Sequence, residues 1–296
     1  MWRTVVILLV VAAGLAVVLD PGRRALGWVR GEPFYRGRAA SAWRRDLMQS
    51  DEAGGAETFN TLVAAKGEAV PVCSWMLRNS SATEARWKAV DVLGHIGKDG
   101  AAAGPDLVAA LDDPDPLVRR VAIRAVAELA PDVPGAVPAL AARFPDVEAI
   151  RAVAKFGRAG GEAVPALVKL FAHADPEVRW QSVRAIGKIG EPALAAVPEL
   201  MRLTAEDPAW QVREHAAEAL GDIGPAAIAG LPALVKALHD PNARVRRDAV
   251  RSLGQMGPAA KLALPEVRAA NQDPDENVKT AAKRAARLID PTGENK

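Results

Sequence analysis

The chain has 296 residues, half of them hydrophobic and a quarter charged, which is ample material for a large core. A formal net charge of +2 is too near neutral to imply a nucleic-acid partner by itself. A single cysteine, Cys73, excludes an internal disulfide framework and any multi-cysteine zinc site. Aromatic content is only 4%, while alanine, valine and leucine abound, as suits helices packed closely through small side chains. Cys73 lies in an apolar run and reads as a buried, inert thiol.

In chain order, Met1-Trp2-Arg3 precedes sixteen residues without a charge, Thr4 to Leu19, followed by Asp20-Pro21-Gly22-Arg23-Arg24. As a helix this run spans roughly 24 Å at about 1.5 Å per residue, and Trp2 at the interface could extend it. A secretory signal competes with this reading, but no clear small-x-small cleavage site follows Leu19. Residues 1–22 are therefore expected to be an N-terminal hydrophobic anchor or signal, with an uncleaved single-pass anchor through residues 4–19 favoured. The five arginines from Arg23 to Arg38 place the following chain in the cytoplasm by the positive-inside rule, whereas a signal-like N-terminus exports it. The side stays open. Residues 23–39 are basic and turn-rich and read as a linker.

After the linker two landmarks alternate. One is a proline opening an apolar helix, at Pro71, Pro105, Pro138, Pro165, Pro198, Pro232 and Pro265. The other is a base one turn into a second helix: Arg86, Arg119, Arg179, Arg213, Arg246 and Lys279. Each of the five arginines stands 19 residues before a proline, and a repeat of 33 or 34 residues means a stacked array of two-helix units. The clearest second helix runs from Asp175 to Gly190. Asp175 is a suitable N-cap, Pro176 fits the first turn, and Val178, Ser182, Ile186 and Ile189 recur at helical spacing before a terminal glycine. The unit between Pro138 and Pro165 is six residues short, with a second helix expected from about Asp146 to Phe156 and a change in curvature. An atypical first pair, Ser41 to Met48 and Thr58 to Ala65, brings the expected total to eight.

Each unit has the form Pro-x-Leu, an Asp-Pro turn, Val-Arg-x-x-Ala and a Gly-x-Ile-Gly end. Asp113 to Arg119, Asp175 to Gly190, Asp207 to Gly224, Asp240 to Gly257 and Asp273 to Ile289 carry it. This resembles the HEAT repeat family in its short bacterial form; no recurring ankyrin or tetratricopeptide signature competes. The resemblance implies an all-α fold, a right-handed α-solenoid of about eight antiparallel helix pairs over residues 40–290, with a polar tail at 291–296. It also implies an arginine ladder with turn aspartates such as Asp113, Asp115, Asp175, Asp207 and Asp240. The landmark arginines therefore read as architecture rather than as a basic patch.

On a helical wheel the third position after the base is always small, and the seventh and tenth are mostly apolar; these are core. The first and fifth positions point away from it. By the resemblance, second helices line the concave surface, so Trp87, Arg120, Arg124, Trp180, Arg184, Glu214, Glu218, Arg247 and Arg251 are the candidate partner-binding residues. Tryptophan beside arginine is the composition of protein-binding hot spots. The competing reading folds Trp87 and Trp180 against a neighbouring repeat.

No Gly-rich phosphate loop, nucleophile elbow or His-Glu-x-x-His helix is present, and His95, His173, His215 and His239 read as isolated surface residues. Neither a cofactor nor a metal is expected. HEAT-like DNA glycosylases line a basic groove with Trp, Asp and Arg, for which Trp180, Arg184, Arg247, Arg251 and Asp248 could serve, but Glu214 and Glu218 would repel phosphate. Bilin lyases share the repeat without a recognisable signature here. The expectation is a non-catalytic, membrane-tethered scaffold for a protein partner; the alternative is a nucleic-acid-binding or lyase-type HEAT-like protein.

Overall fold

The computed structural model describes residues 20, 22–49 and 52–293. The apolar stretch 4–19 and residues 294–296 of the polar tail lie outside the described residues. The fold is an all-α solenoid whose chain divides into two compact units, one ending at Ala136 and one beginning at Val137. The division falls in the shortened repeat.

The first unit opens with α1 (Arg24–Val29) and a hairpin of β1 (Phe34–Tyr35) and β2 (Arg38–Ala39), antiparallel with Tyr35 opposite Arg38. Then come α2 (Ala40–Leu47), α3 (Glu52–Ala64), α4 (Val70–Asn79), α5 (Thr83–Ile96), α6 (Gly104–Ala110) and α7 (Pro116–Leu129). The segment expected to be a linker is instead folded onto α2. Trp43 Nε1 donates to Tyr35 O at 3.1 Å, and Ser41 N donates to the buried Glu32 Oε2 at 2.8 Å. Arg38 pairs with Asp46 and lies over the Trp43 ring. A basic, turn-rich composition conceals these anchors, because each is a single residue without periodicity.

The second unit contains α8 (Ala136–Ala141), α9 (Val147–Lys155), α10 (Val164–Lys169), α11 (Pro176–Ile189), α12 (Val197–Glu206), α13 (Trp210–Ile223), α14 (Leu231–Ala237), α15 (Ala243–Gln255), α16 (Leu264–Ala269) and α17 (Glu276–Ile289). From α2 onward the helices form the eight expected pairs among the described residues. Pro71, Pro105, Pro165, Pro198, Pro232 and Pro265 each occupy the first two positions of a first helix, where a missing N–H costs nothing. A 3-10 turn precedes each of them.

Helix α11 shows how a second helix is specified. Asp175 accepts from Glu177 N at 2.8 Å, and Val178, Ser182, Ile186 and Ile189 are all buried. Burying one such isoleucine contributes about 1.5–3 kcal/mol. The Ser182 hydroxyl is satisfied within its own helix by donating to Val178 O at 2.8 Å. Gly190 ends the helix at φ 73° and ψ −137°, a conformation that side chains strongly disfavour.

Successive second helices touch nearly backbone to backbone. A Cβ added at Gly187 would lie 3.2 Å from Ala219 Cα, and one at Gly254 would lie 2.9 Å from Ala285 Cα. At Gly221 it would meet Ser252 Oγ at 2.4 Å. The first glycine of each Gly-x-Ile-Gly end therefore makes room for the next repeat, while the second turns the chain.

The helical run Trp210–Ala237 has the length and composition of a membrane span. It is not one straight rod: α13 and α14 are joined by a 3-10 turn with Ala227 outside helical geometry. Its α13 portion packs against α11, α12 and α15, so it is repeat core.

Candidate protein-binding faces

The ladder between repeats fixes how the second helices present their side chains. In the first unit Arg86 donates through Nε and Nη2 to Asp113 at 2.8 and 2.9 Å. In the second unit Arg179 holds Asp207 at 2.9 Å through both atoms, Arg213 holds Asp240 at 2.6 and 3.1 Å, and Arg246 holds Asp273 at 2.7 and 2.9 Å. The remaining Nη1 of each arginine donates to carbonyls of its own turn, such as His173 O and Ala174 O for Arg179. Bidentate geometry with every guanidinium nitrogen donating is what allows the group to sit this deep. Arg246 holds the Asp273 carboxyl below its ordinary range. Asp113 also lies low: burial pushes it up, but its hydrogen bonds from Arg86 and Asp115 N prevail.

Two of the aspartates expected in the ladder belong elsewhere. Asp115 and Asp175 cap their own helices, accepting from Leu117 N and Glu177 N at 2.8 Å each. The ladder uses the aspartate two residues earlier in the turn, a place taken by His173 before Asp175. Asp146 of the shortened repeat is a cap as well. It caps α9 by accepting from Glu148 N, and the buried Ile150 stands where the arginine would be.

In the first unit Trp87 is half-buried with Lys88 Nζ 5.8 Å from its ring centre, and Lys88 is held by Leu47 O at 2.9 Å. Arg120 and Arg124 are exposed on α7. Arg124, Asp91, His95 and Glu128 border a cavity of about 400 Å³ between α5 and α7.

The second unit carries a denser arrangement. Trp180 of α11 stacks on His215 of α13 at 5.1 Å between ring centres and 27° between planes. His215 Nδ1 lies 3.0 Å from Glu218 Oε2; because a carboxylate only accepts, this nitrogen carries the proton. That bond holds the Glu218 carboxyl below its ordinary range. Glu214 is only 7% exposed, and burial pushes its carboxyl up, with the Asp248 charge adding to the rise. Arg247 reaches Glu214 at 3.4 Å while binding Asp248 through two nitrogens at 2.9 Å, and Arg251 meets Asp248 at 3.1 Å. Arg184 is exposed.

The expected floor is thus sorted by the structure. Arg120, Arg124, Arg184 and Arg251 are open; Trp87, Trp180, Glu218 and Arg247 are half-buried; Glu214 is buried and is not a surface residue. His215 is no isolated surface histidine. The residues that wheel reasoning missed lie two positions after the landmark: Gln181, His215 and Asp248. His215 meets Trp180, the first-position residue of the preceding second helix, while the Asp248 charge acts on Glu214 in the same place. With its amide oriented to accept, Gln181 likewise takes bonds from Arg151 at 2.6 and 2.8 Å. Among the described residues, no three His, Cys, Asp or Glu side chains form a metal-binding group.

Residues 70–148, 145–221 and 197–287 match the sequence profile of HEAT repeats. The chain belongs to the HEAT-repeat family. No curated protein sequence matches it. Among solved structures it is similar to the karyopherin Kap121p bound to the extreme C-terminus of the protein phosphatase Cdc14p, with a TM-score of 0.59 and 14% identity over 84% of this chain and 33% of the karyopherin. A designed armadillo repeat protein in complex with the peptide (KR)4 shares 24% identity at a TM-score of 0.45, over 74% of this chain and 99% of that one. The HEAT assignment explains why the ladder and glycine contacts recur while the first-position residues change from repeat to repeat.

Proposed function

We propose that this HEAT-repeat protein is a non-catalytic scaffold, tethered to a membrane through residues 4–19, that holds a protein partner on its second-helix faces. The observation that carries the binding face is the Trp180–His215 stack beside the open Arg184. It offers a large, already ordered aromatic surface whose fixing costs little further entropy on binding, with a charge at its edge. The karyopherin of similar fold is bound to a chain terminus, which favours an extended protein segment as the occupant.

Arg247 and Arg251 are both engaged with Asp248, so a continuous basic track for phosphate is weakened on α15. Crosslinked capture from native membranes tests the reading. Replacing Trp180 and Arg184 together by alanine is expected to cut partner recovery at least about tenfold, the effect of losing one to two hot-spot side chains. Helical circular dichroism should be unchanged. Unchanged recovery sinks this face. Tight duplex DNA binding that falls steeply with salt would instead support the nucleic-acid alternative.

A further inference from the structure

The N-terminal cap carries a surface that the partner-binding role does not use. Trp28 and Val29, the last residues of α1, are 80% and 76% exposed, and Phe34 of the hairpin is 40% exposed. Phe34 lies against α1, since a Cβ added at Gly27 would meet its ring at 3.0 Å. The other open large apolar side chains stand apart, Leu194, Ile228 and Leu262 one to a turn between repeats and Leu288 near the end of α17. Here they are grouped, and arginines surround them. Arg24, Arg30 and Arg36 are exposed, and Arg23 is half-exposed.

The two acids of this stretch, Asp20 and Glu32, are outnumbered by its five arginines. Asp20 is occupied in accepting from Ala25 N at 2.9 Å, and Glu32 is buried, accepting from Ser41 N. The uncharged sequence Thr4 to Leu19 stops five residues before α1 begins.

We infer that α1 and the hairpin form a lipid-contacting foot: Trp28, Val29 and Phe34 enter the headgroup region of an anionic bilayer, and Arg24, Arg30 and Arg36 meet its phosphates. This rests on the tether proposed above, which would bring the patch to the membrane surface. The chemistry is that of an interfacial element, in which indole sits at headgroup depth and each arginine near an anionic surface adds attraction. Two weak signals in one place give stable seating where one alone would not.

The full-length chain carrying Ala25→Cys, labelled with an environment-sensitive fluorophore, reports on the foot directly. Cys73 does not compete for label, because burial pushes its thiol up to about 12. The chain is reconstituted with phosphatidylcholine vesicles, with and without phosphatidylglycerol, that contain a headgroup-depth spin-labelled lipid. The expected result is a blue shift and loss of most fluorescence in the anionic vesicles. W28S/V29S should abolish both changes, and R30Q/R36Q should reduce them to the level in neutral vesicles. Carbonate-resistant flotation with an unquenched label overturns the foot and leaves the tether standing. Quenching of a chain that carbonate strips off overturns the tether and supports the foot. Equal quenching in both vesicle types overturns the assignment of the arginines to anionic headgroups.

Discussion

Two turns of the second unit carry complementary halves of the same device. The turn before α13, Asp207-Pro208-Ala209, has the ladder carboxylate that holds Arg179 but no side-chain cap on the helix it opens. The turn before α11, His173-Ala174-Asp175, has the cap but a histidine in the ladder place, and the preceding second helix carries Ile150 instead of arginine. Cap and ladder are therefore separable. The cap can be lost singly, because orphan N–H groups at a helix start still find water. Between α9 and α11 the ladder pair is replaced at both ends, Ile150 for the arginine and His173 for the aspartate, and a buried arginine without its aspartate would be far worse than neither.

The sharpest way to break that contrast is Asp207→Ala, which leaves the buried Arg179 uncompensated. We expect a loss of about 3–5 kcal/mol in denaturant unfolding of the second unit. The double replacement R179I/D207H, which copies the pair found at Ile150 and His173, should recover most of it. If the double variant is as unstable as the single one, the paired-loss account fails. Acid sharpens the same point at Asp273, whose carboxyl lies below its ordinary 3.8. A depressed carboxyl stabilises fully above its unfolded value, and the benefit disappears as pH falls through the folded value. R246I/D273H should therefore flatten the stability profile below about pH 4 relative to the native chain, as read by fluorescence-detected unfolding.

Next in size is Gly221→Ala, which places a Cβ against the side chains of both Gln255 and Ser252 and should cost about 1–3 kcal/mol. Adding Ser252→Gly and Gln255→Ala, which remove all three clashing atoms, should restore part of that in thermal unfolding. Smallest is the exchange of caps. Asp175→Ala should cost about 1 kcal/mol, and Ala209→Asp, at φ −85° and ψ 120°, should gain a similar amount. A gain absent from Ala209→Asp would mean that Asp207 repels the new carboxylate.

The repeat made the architecture legible. A constant offset between base and proline, apolar stripes and terminal glycines led to the eight pairs and to the buried positions of α11. The ladder came from family resemblance, and its register was wrong by two residues at Asp115 and Asp175, because two aspartates in one turn look alike until their hydrogen bonds are seen. The faces were harder to read. A single-helix wheel places Glu214 outward, yet it is buried and Arg247 of the next helix reaches it. The same wheel has no means of pairing Trp180 with His215, since that contact joins different repeats. Residues 23–39 were misread because Tyr35 and Glu32 are buried without any periodic signal.

The glycine contacts of α11 with α13 and of α15 with α17 also act as a ruler. Side chains can change rotamer and let two helices drift, but a backbone resting on its neighbour's Cα leaves no such slack. The interval at which each repeat offers its first-position residue is thereby set in hard units. The scaffold role proposed above therefore requires an occupant whose own residue spacing matches that interval, so that length is selected before chemistry.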